Sequence, residues 1–182
     1  ITTHPVDVGA LGEIWRANDS KDVASRQFPR LCKFLDQEAR KHIGQLKRVF
    51  TIAAKAGFKG VEYLFPYDYP AEQIKEKLDQ NNLTQVLFDF PAGDWDAGDR
   101  GCASFPDRVG EFQDGVGKAV EYAKVLGCDR LTVLAGKATS GVSAITMQQT
   151  LIDNLKFASK AVADTNAVVL LEAINTIDIP GY

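Results

Sequence analysis

Glu172 closes the apolar run Val168-Val169-Leu170-Leu171, and its placement is the clearest chemical signal in the chain. A carboxylate at the C-terminal end of a central strand is costly to bury alone, so it needs a cation, a hydrogen-bond shell or a metal. Such a group can move a proton or ligate a hard divalent ion. Glu62, within Val61-Glu62-Tyr63-Leu64, is a second candidate, and alternation along its strand leaves open which face it takes. Both histidines, His4 and His42, fall in an N-terminal stretch of different character. That removes the usual material for a zinc site, a Ser-His triad or an imidazole base, and leaves acid/base work to carboxylates.

The segment Phe90-Pro-Ala-Gly-Asp94-Trp-Asp96-Ala-Gly98-Asp99-Arg-Gly101 follows a strand and holds three aspartates. A calcium loop would need a polar side chain at its fifth position and glycine at its sixth, where Gly98 and Asp99 stand. Loops of this length inside βα units commonly act as lids, and that is the expected role here. Gly136-Lys137 superficially suggests a phosphate loop, but the first glycine of that motif would have to be Leu131. Gly115-Val-Gly117 falls in helical register with Phe112, Val116, Ala119 and Val120, which makes it a packing feature and no dinucleotide fingerprint.

The elements that must position these groups alternate. Apolar runs at 60–65, 84–90, 131–135 and 168–172 read as strands, and amphipathic stretches at about 70–78, 107–126 and 147–164 read as helices. Alternation of this kind predicts βαβ units on a parallel sheet. Gly57 and Gly127 each stand between a helical stretch and a strand, where glycine ends the helix in a left-handed conformation. Residues 1–48 break the pattern. They carry one helical stripe, Leu31, Leu35, Ala39, Ile43 and Leu46, with no preceding apolar strand. The expected organisation is a partly helical segment over 1–48 and a βα array over 49–182.

The charge balance of −3 comes from 21 basic and 24 acidic residues spread along helices, which speaks against a nucleic-acid partner. No apolar run approaches the ~18 residues of a membrane span, so no membrane association is expected. The chain opens at Ile1 without methionine, which leaves a lost targeting peptide compatible with it. Cys32, Cys102 and Cys128 are odd in number and lack C-x-x-C spacing, as expected of reduced thiols in a cytoplasmic protein. The oligomeric state is left open, a homo-oligomer included.

Taken in order, Gly57-Phe58, Val61-Glu62 through Phe65-Pro66-Tyr67, Pro91-Ala-Gly-Asp94, Gly98, Gly101, Pro106-Asp-Arg108, Ala135-Gly136 and Leu171-Glu172-Ala-Ile-Asn175 resemble the hydroxypyruvate isomerase family. The likeness covers about Val49 to Tyr182. It implies an α/β fold, a xylose isomerase-like (β/α)8 TIM barrel of which about four parallel strands are present, since 182 residues fall short of the ~250 such a barrel needs.

It further implies that Glu172 binds a divalent metal, Mg²⁺ or Mn²⁺, and moves the proton of a small keto acid substrate. The remaining metal ligands and a second glutamate would come from strands beyond this span. Asp94 and Arg108 are expected to contact the substrate carboxylate or close over it, with Glu62 a further site candidate. Where the family carries a histidine and a proline, this chain has Thr132 and Ala173. The rival expectations are a related sugar or keto-acid isomerase or epimerase, a metal-dependent endonuclease, and a non-catalytic barrel fragment serving as an interaction module.

Overall fold

The structure is a computed structural model that describes residues 43–177 and 179–182, with side chains from Arg48 onward. The histidines, Cys32 and the Leu31–His42 part of the helical stripe lie outside the described residues. Two compact units divide at Phe58/Lys59. In the first, helix α1 (Ile43–Lys55) runs through the boundary expected at Val49. It ends as its glycine predicts, with Gly57 at φ +91° donating to Ala54 O at 3.0 Å and Phe58 to Ala53 O at 3.1 Å.

The second unit is a run of βα repeats, β1 (Gly60–Glu62), α2 (Ala71–Gln80), β2 (Thr84–Asp89), a 3₁₀ turn (Pro106–Arg108), α3 (Val109–Leu126), β3 (Arg130–Val133), α4 (Ala144–Ala161) and β4 (Val168–Leu171). The strands form one four-stranded sheet in the order β1-β2-β3-β4. Every pairing is parallel, with Val61 opposite Gln85, Asp89 opposite Thr132 and Thr132 opposite Leu170. The α/β partial barrel read from the sequence is therefore the observed architecture. Parallel strands share one C-terminal edge, and any side chain just past a strand is delivered there.

Burial of the two central strands fixes that edge. Phe88, Leu131 and Val133 are fully buried, and Ile74 and Leu78 of α2 and Phe112, Val116 and Ala119 of α3 are buried as well. Gly127, in the left-handed region at φ +66°, ends α3, and Cys128 N donates back to Ala123 O. Ser143 caps α4 through its Oγ, which accepts the Thr146 N–H at 3.1 Å, so this helix starts three residues before the expected Met147.

The strands are shorter than the apolar runs. A bulge between Val61 and Glu62 breaks the β1 register, and Tyr63 to Phe65 leave the ladder although Leu64 O still accepts from Asp89 N at 2.8 Å. Leu134 and Ala135 leave β3 because Ala135 pairs antiparallel with Gly101.

The β4 run, apolar throughout, is less buried than its composition suggests. It has one strand neighbour among the described residues, and Val168 and Leu171 are 52% and 50% exposed. With Ile145 and Ile177 also exposed, the 182-residue chain alone is expected to self-associate. Light scattering across a concentration series checks this, and a monodisperse monomer at all concentrations would contradict it.

Candidate active site at the C-terminal strand edge

Three carboxylates reach this edge from three strands. Glu62 ends β1, Asp89 ends β2, and Glu172 directly follows β4, its backbone N–H reaching Val133 O at 3.5 Å. Glu62 and Glu172 are exposed, whereas Asp89 is buried. Although Glu172 is exposed overall, partial burial of its carboxyl raises the pKa above its ordinary range, and the negative charge of Glu62 pushes it the same way. The two glutamates leave opposite edge strands of the sheet, yet the Glu62 charge reaches Glu172. A raised pKa suits a group that must both take and return a proton.

Tyr182 joins them. Ala135 N–H donates to its hydroxyl oxygen at 2.7 Å, which seats the phenol at the end of β3. Burial raises its pKa most, the backbone N–H groups of Ala135 and Gly136 lower it, and Glu172 and Asp89 raise it. The position of Tyr182 depends on a contact 47 residues away in sequence, which no local pattern records. Asp89 lies inside the apolar run 84–90 in sequence, with Phe90 after it, so only the end of the β2 ladder shows it closing a strand.

The loop after β2 is stitched to itself. Asp99 Oδ2 accepts from Asp94 N at 2.7 Å and from Arg108 Nη2 at 2.8 Å, while Asp94 Oδ1 accepts from Ala97 N at 2.9 Å. Arg108 also grips Glu111 through Nε and Nη2, each at 2.7 Å. The Arg108 hydrogen bond holds the Asp99 carboxyl below its usual range, with burial opposing and the Asp94 N–H assisting. Both residues expected at the substrate, Asp94 and Arg108, are thus engaged in shaping the loop. Its base is locked as well, with Ser104 N and Oγ both donating to Ala135 O and the buried Asn154 holding Ala103 O at 2.8 Å. Cys102 lies in this base, buried, and burial pushes its thiol up to about 11, so it stays protonated and unreactive.

Toward β1 the loop presents Trp95, whose ring meets Phe65 edge-on at 5.1 Å, and the Arg100 guanidinium lies 4.1 Å above the Trp95 ring. For a metal, Glu172 and Glu62 offer the oxygen donors that Mg²⁺ or Mn²⁺ prefers, and their mutual repulsion is the kind a cation relieves. No group of three His, Cys, Asp or Glu among the described residues is placed to hold one, so these residues would supply part of a coordination shell. No described helix is long and apolar enough to cross a membrane.

Residues 50–182 match the family described as Xylose isomerase-like TIM barrel. The chain is 44% identical over 133 residues to hydroxypyruvate isomerase of Escherichia coli, covering 73% of this chain and 52% of that protein. It is 45% identical to 2-oxo-tetronate isomerase of Cupriavidus necator over 133 residues, 73% of this chain and 51% of that one. Among solved structures, a Brucella melitensis protein described as AP endonuclease, family 2, superposes with a TM-score of 0.72 at 46% identity, covering 76% of this chain and 53% of that one. The chain thus spans about half the length of the curated relatives it matches. The parallel sheet, its carboxylate-bearing C-terminal edge and the match over 50–182 together make this chain a member of the xylose isomerase-like TIM barrel family.

Proposed function

We propose that the whole protein is an isomerase interconverting hydroxypyruvate and 2-hydroxy-3-oxopropanoate (tartronate semialdehyde) in the cytoplasm. The observation that carries this reading is Glu172, a carboxyl of raised pKa at the catalytic edge of a barrel sheet, with Glu62 within reach of its charge. The similarity to an Escherichia coli hydroxypyruvate isomerase supports the substrate.

In the reaction, Glu172 takes a proton from C3 of hydroxypyruvate, beside the C2 carbonyl, and the electron pair forms an enediolate. The C3 hydroxyl gives up its proton, the C2 oxygen gains one, and the proton held by Glu172 is returned at C2 as the C3 oxygen becomes the aldehyde, so no oxidant enters. Tyr182, seated beside Glu172, offers a phenol to an oxygen of the substrate. Glu172 would be one ligand of a Mg²⁺ or Mn²⁺, whose chemistry when bound would be to stabilise negative charge on oxygen. Asp94, Asp99 and Arg108 act by holding the loop that walls the site.

A second substrate, 2-oxo-tetronate, is favoured by the 45% identity to the Cupriavidus necator enzyme. It presents the same 2-keto acid end with one more carbon. Endonuclease activity fits less well, because the acidic balance of −3 offers little to a phosphate backbone.

The test is an assay of a full-length chain carrying this span, with hydroxypyruvate, 2-oxo-tetronate and abasic DNA, before and after chelation. Turnover of a 2-keto acid, lost with EDTA and restored by Mg²⁺ or Mn²⁺, is expected, with none from residues 1–182 alone. Cleavage of DNA without keto-acid turnover would overturn the proposal.

A further inference from the structure

We infer that Arg100 is the residue that binds the substrate's carboxylate and so selects 2-keto acids over neutral ketoses. The inference deepens the proposed function and rests on it for the identity of the substrate. An anionic substrate entering an edge lined by Glu62, Asp89 and Glu172 is repelled by each, so its binding needs a cation placed to receive the carboxylate. The arginine expected there, Arg108, already meets Asp99 and Glu111. Arg130 is paired with Asp129.

Arg100 has no carboxylate partner among the described residues. Its Nη1 donates to Trp95 O at 3.1 Å and to Asp99 O at 2.5 Å, and its plane lies over the Trp95 ring. Those contacts fix the guanidinium while leaving Nε and Nη2, the side-on pair of donors that matches a carboxylate's two oxygens. Arg100 is half-buried, so it is reachable yet partly desolvated.

Its location follows from its neighbours. Gly101 pairs with Ala135, whose N–H binds the Tyr182 hydroxyl beside Glu172. Trp95 touches Phe65, three residues beyond Glu62. Arg100 therefore sits in the stretch of loop held between the end of β3, through Gly101, and the chain just past β1, through Trp95. Lys137, just past β3 and close enough for its charge to act on Asp99, is a rival cation among the described residues, but a flexible ammonium lacks the planar fork and the two fixing bonds.

The experiment compares full-length wild type, Arg100→Met, Arg100→Lys and Lys137→Met by steady-state kinetics on hydroxypyruvate and on neutral D-erythrulose, and by calorimetric titration with hydroxypyruvate. Arg100→Met is expected to raise KM and Kd for hydroxypyruvate roughly 100-fold with kcat changed much less. The preference for hydroxypyruvate over erythrulose falls by the same factor. Arg100→Lys restores part of the loss, and millimolar guanidinium restores part of it in Arg100→Met.

Equal losses on both substrates, or an unchanged hydroxypyruvate Kd, would overturn the assignment, as would the selective loss appearing in Lys137→Met instead. If the wild type binds hydroxypyruvate through Arg100 yet never isomerises it, the proposed reaction fails while the carboxylate site stands.

Discussion

Glu172→Gln in a full-length chain is expected to lower kcat for hydroxypyruvate roughly 100- to 10,000-fold, the range that general acid–base help contributes. Glutamine keeps the shape and loses the basic oxygen, so binding suffers less than turnover. A companion change separates the role of the neighbouring charge. Burial is the larger cause of the raised Glu172 pKa and Glu62 the smaller, so Glu62→Gln removes one upward push and leaves the other. The base works when ionised, and activity climbs as pH rises through its pKa. The acid limb of kcat/KM in Glu62→Gln should therefore move to lower pH. Wild-type kcat in Glu172→Gln would remove Glu172 from the chemistry, and a limb that moves upward in Glu62→Gln would show that the Glu62 charge does not raise its pKa. Circular dichroism of each variant guards against misreading a folding defect.

The sequence revealed groups whose signal is local. Glu172 stood out because a charge ends an apolar run, and the βα grammar stood out because Gly57 and Gly127 both sit where a helix must stop. Glu62 could not be oriented from alternation, since the bulge between Val61 and Glu62 interrupts the period of two. The strand limits were overrun for the same kind of reason. Apolar residues continue past β3, but Leu134 and Ala135 serve the loop and not the ladder.

The choice between Arg100 and Arg108 is tertiary. Both are arginines in or beside one loop, and only the folded chain shows that Asp99, nine residues before Arg108, is its partner. Tyr182 depends likewise on where the end of β3 lies in space.

Gly101→Ala is expected to cost the fold a large part of its stability, and its effect follows from how closely two backbones approach. Gly101 lies at φ +106°, and a Cβ built there would sit 2.1 Å from Leu134 O and 2.5 Å from Leu134 C. Neither atom is the end of a flexible side chain, so relief requires the loop and the end of β3 to separate. That separation would strain the Gly101 N–H bond to Ala92 O, the pairing with Ala135 and the two Ser104 bonds to Ala135 O. Backbone strain of this kind costs roughly 1–3 kcal/mol, and forced overpacking adds roughly 1–3 kcal/mol. The sum, about 2–6 kcal/mol, is a large part of the about 5–15 kcal/mol a domain has in all. In urea titrations of a full-length chain, Gly101→Ala should lower the midpoint while leaving the slope unchanged, whereas Gly98→Ala should lower it less. Gly98 also has positive φ, at +102°, but meets nothing within 4 Å, so that variant isolates conformational strain from the clash. Equal midpoint losses in the two variants would show that the close approach to Leu134 contributes nothing.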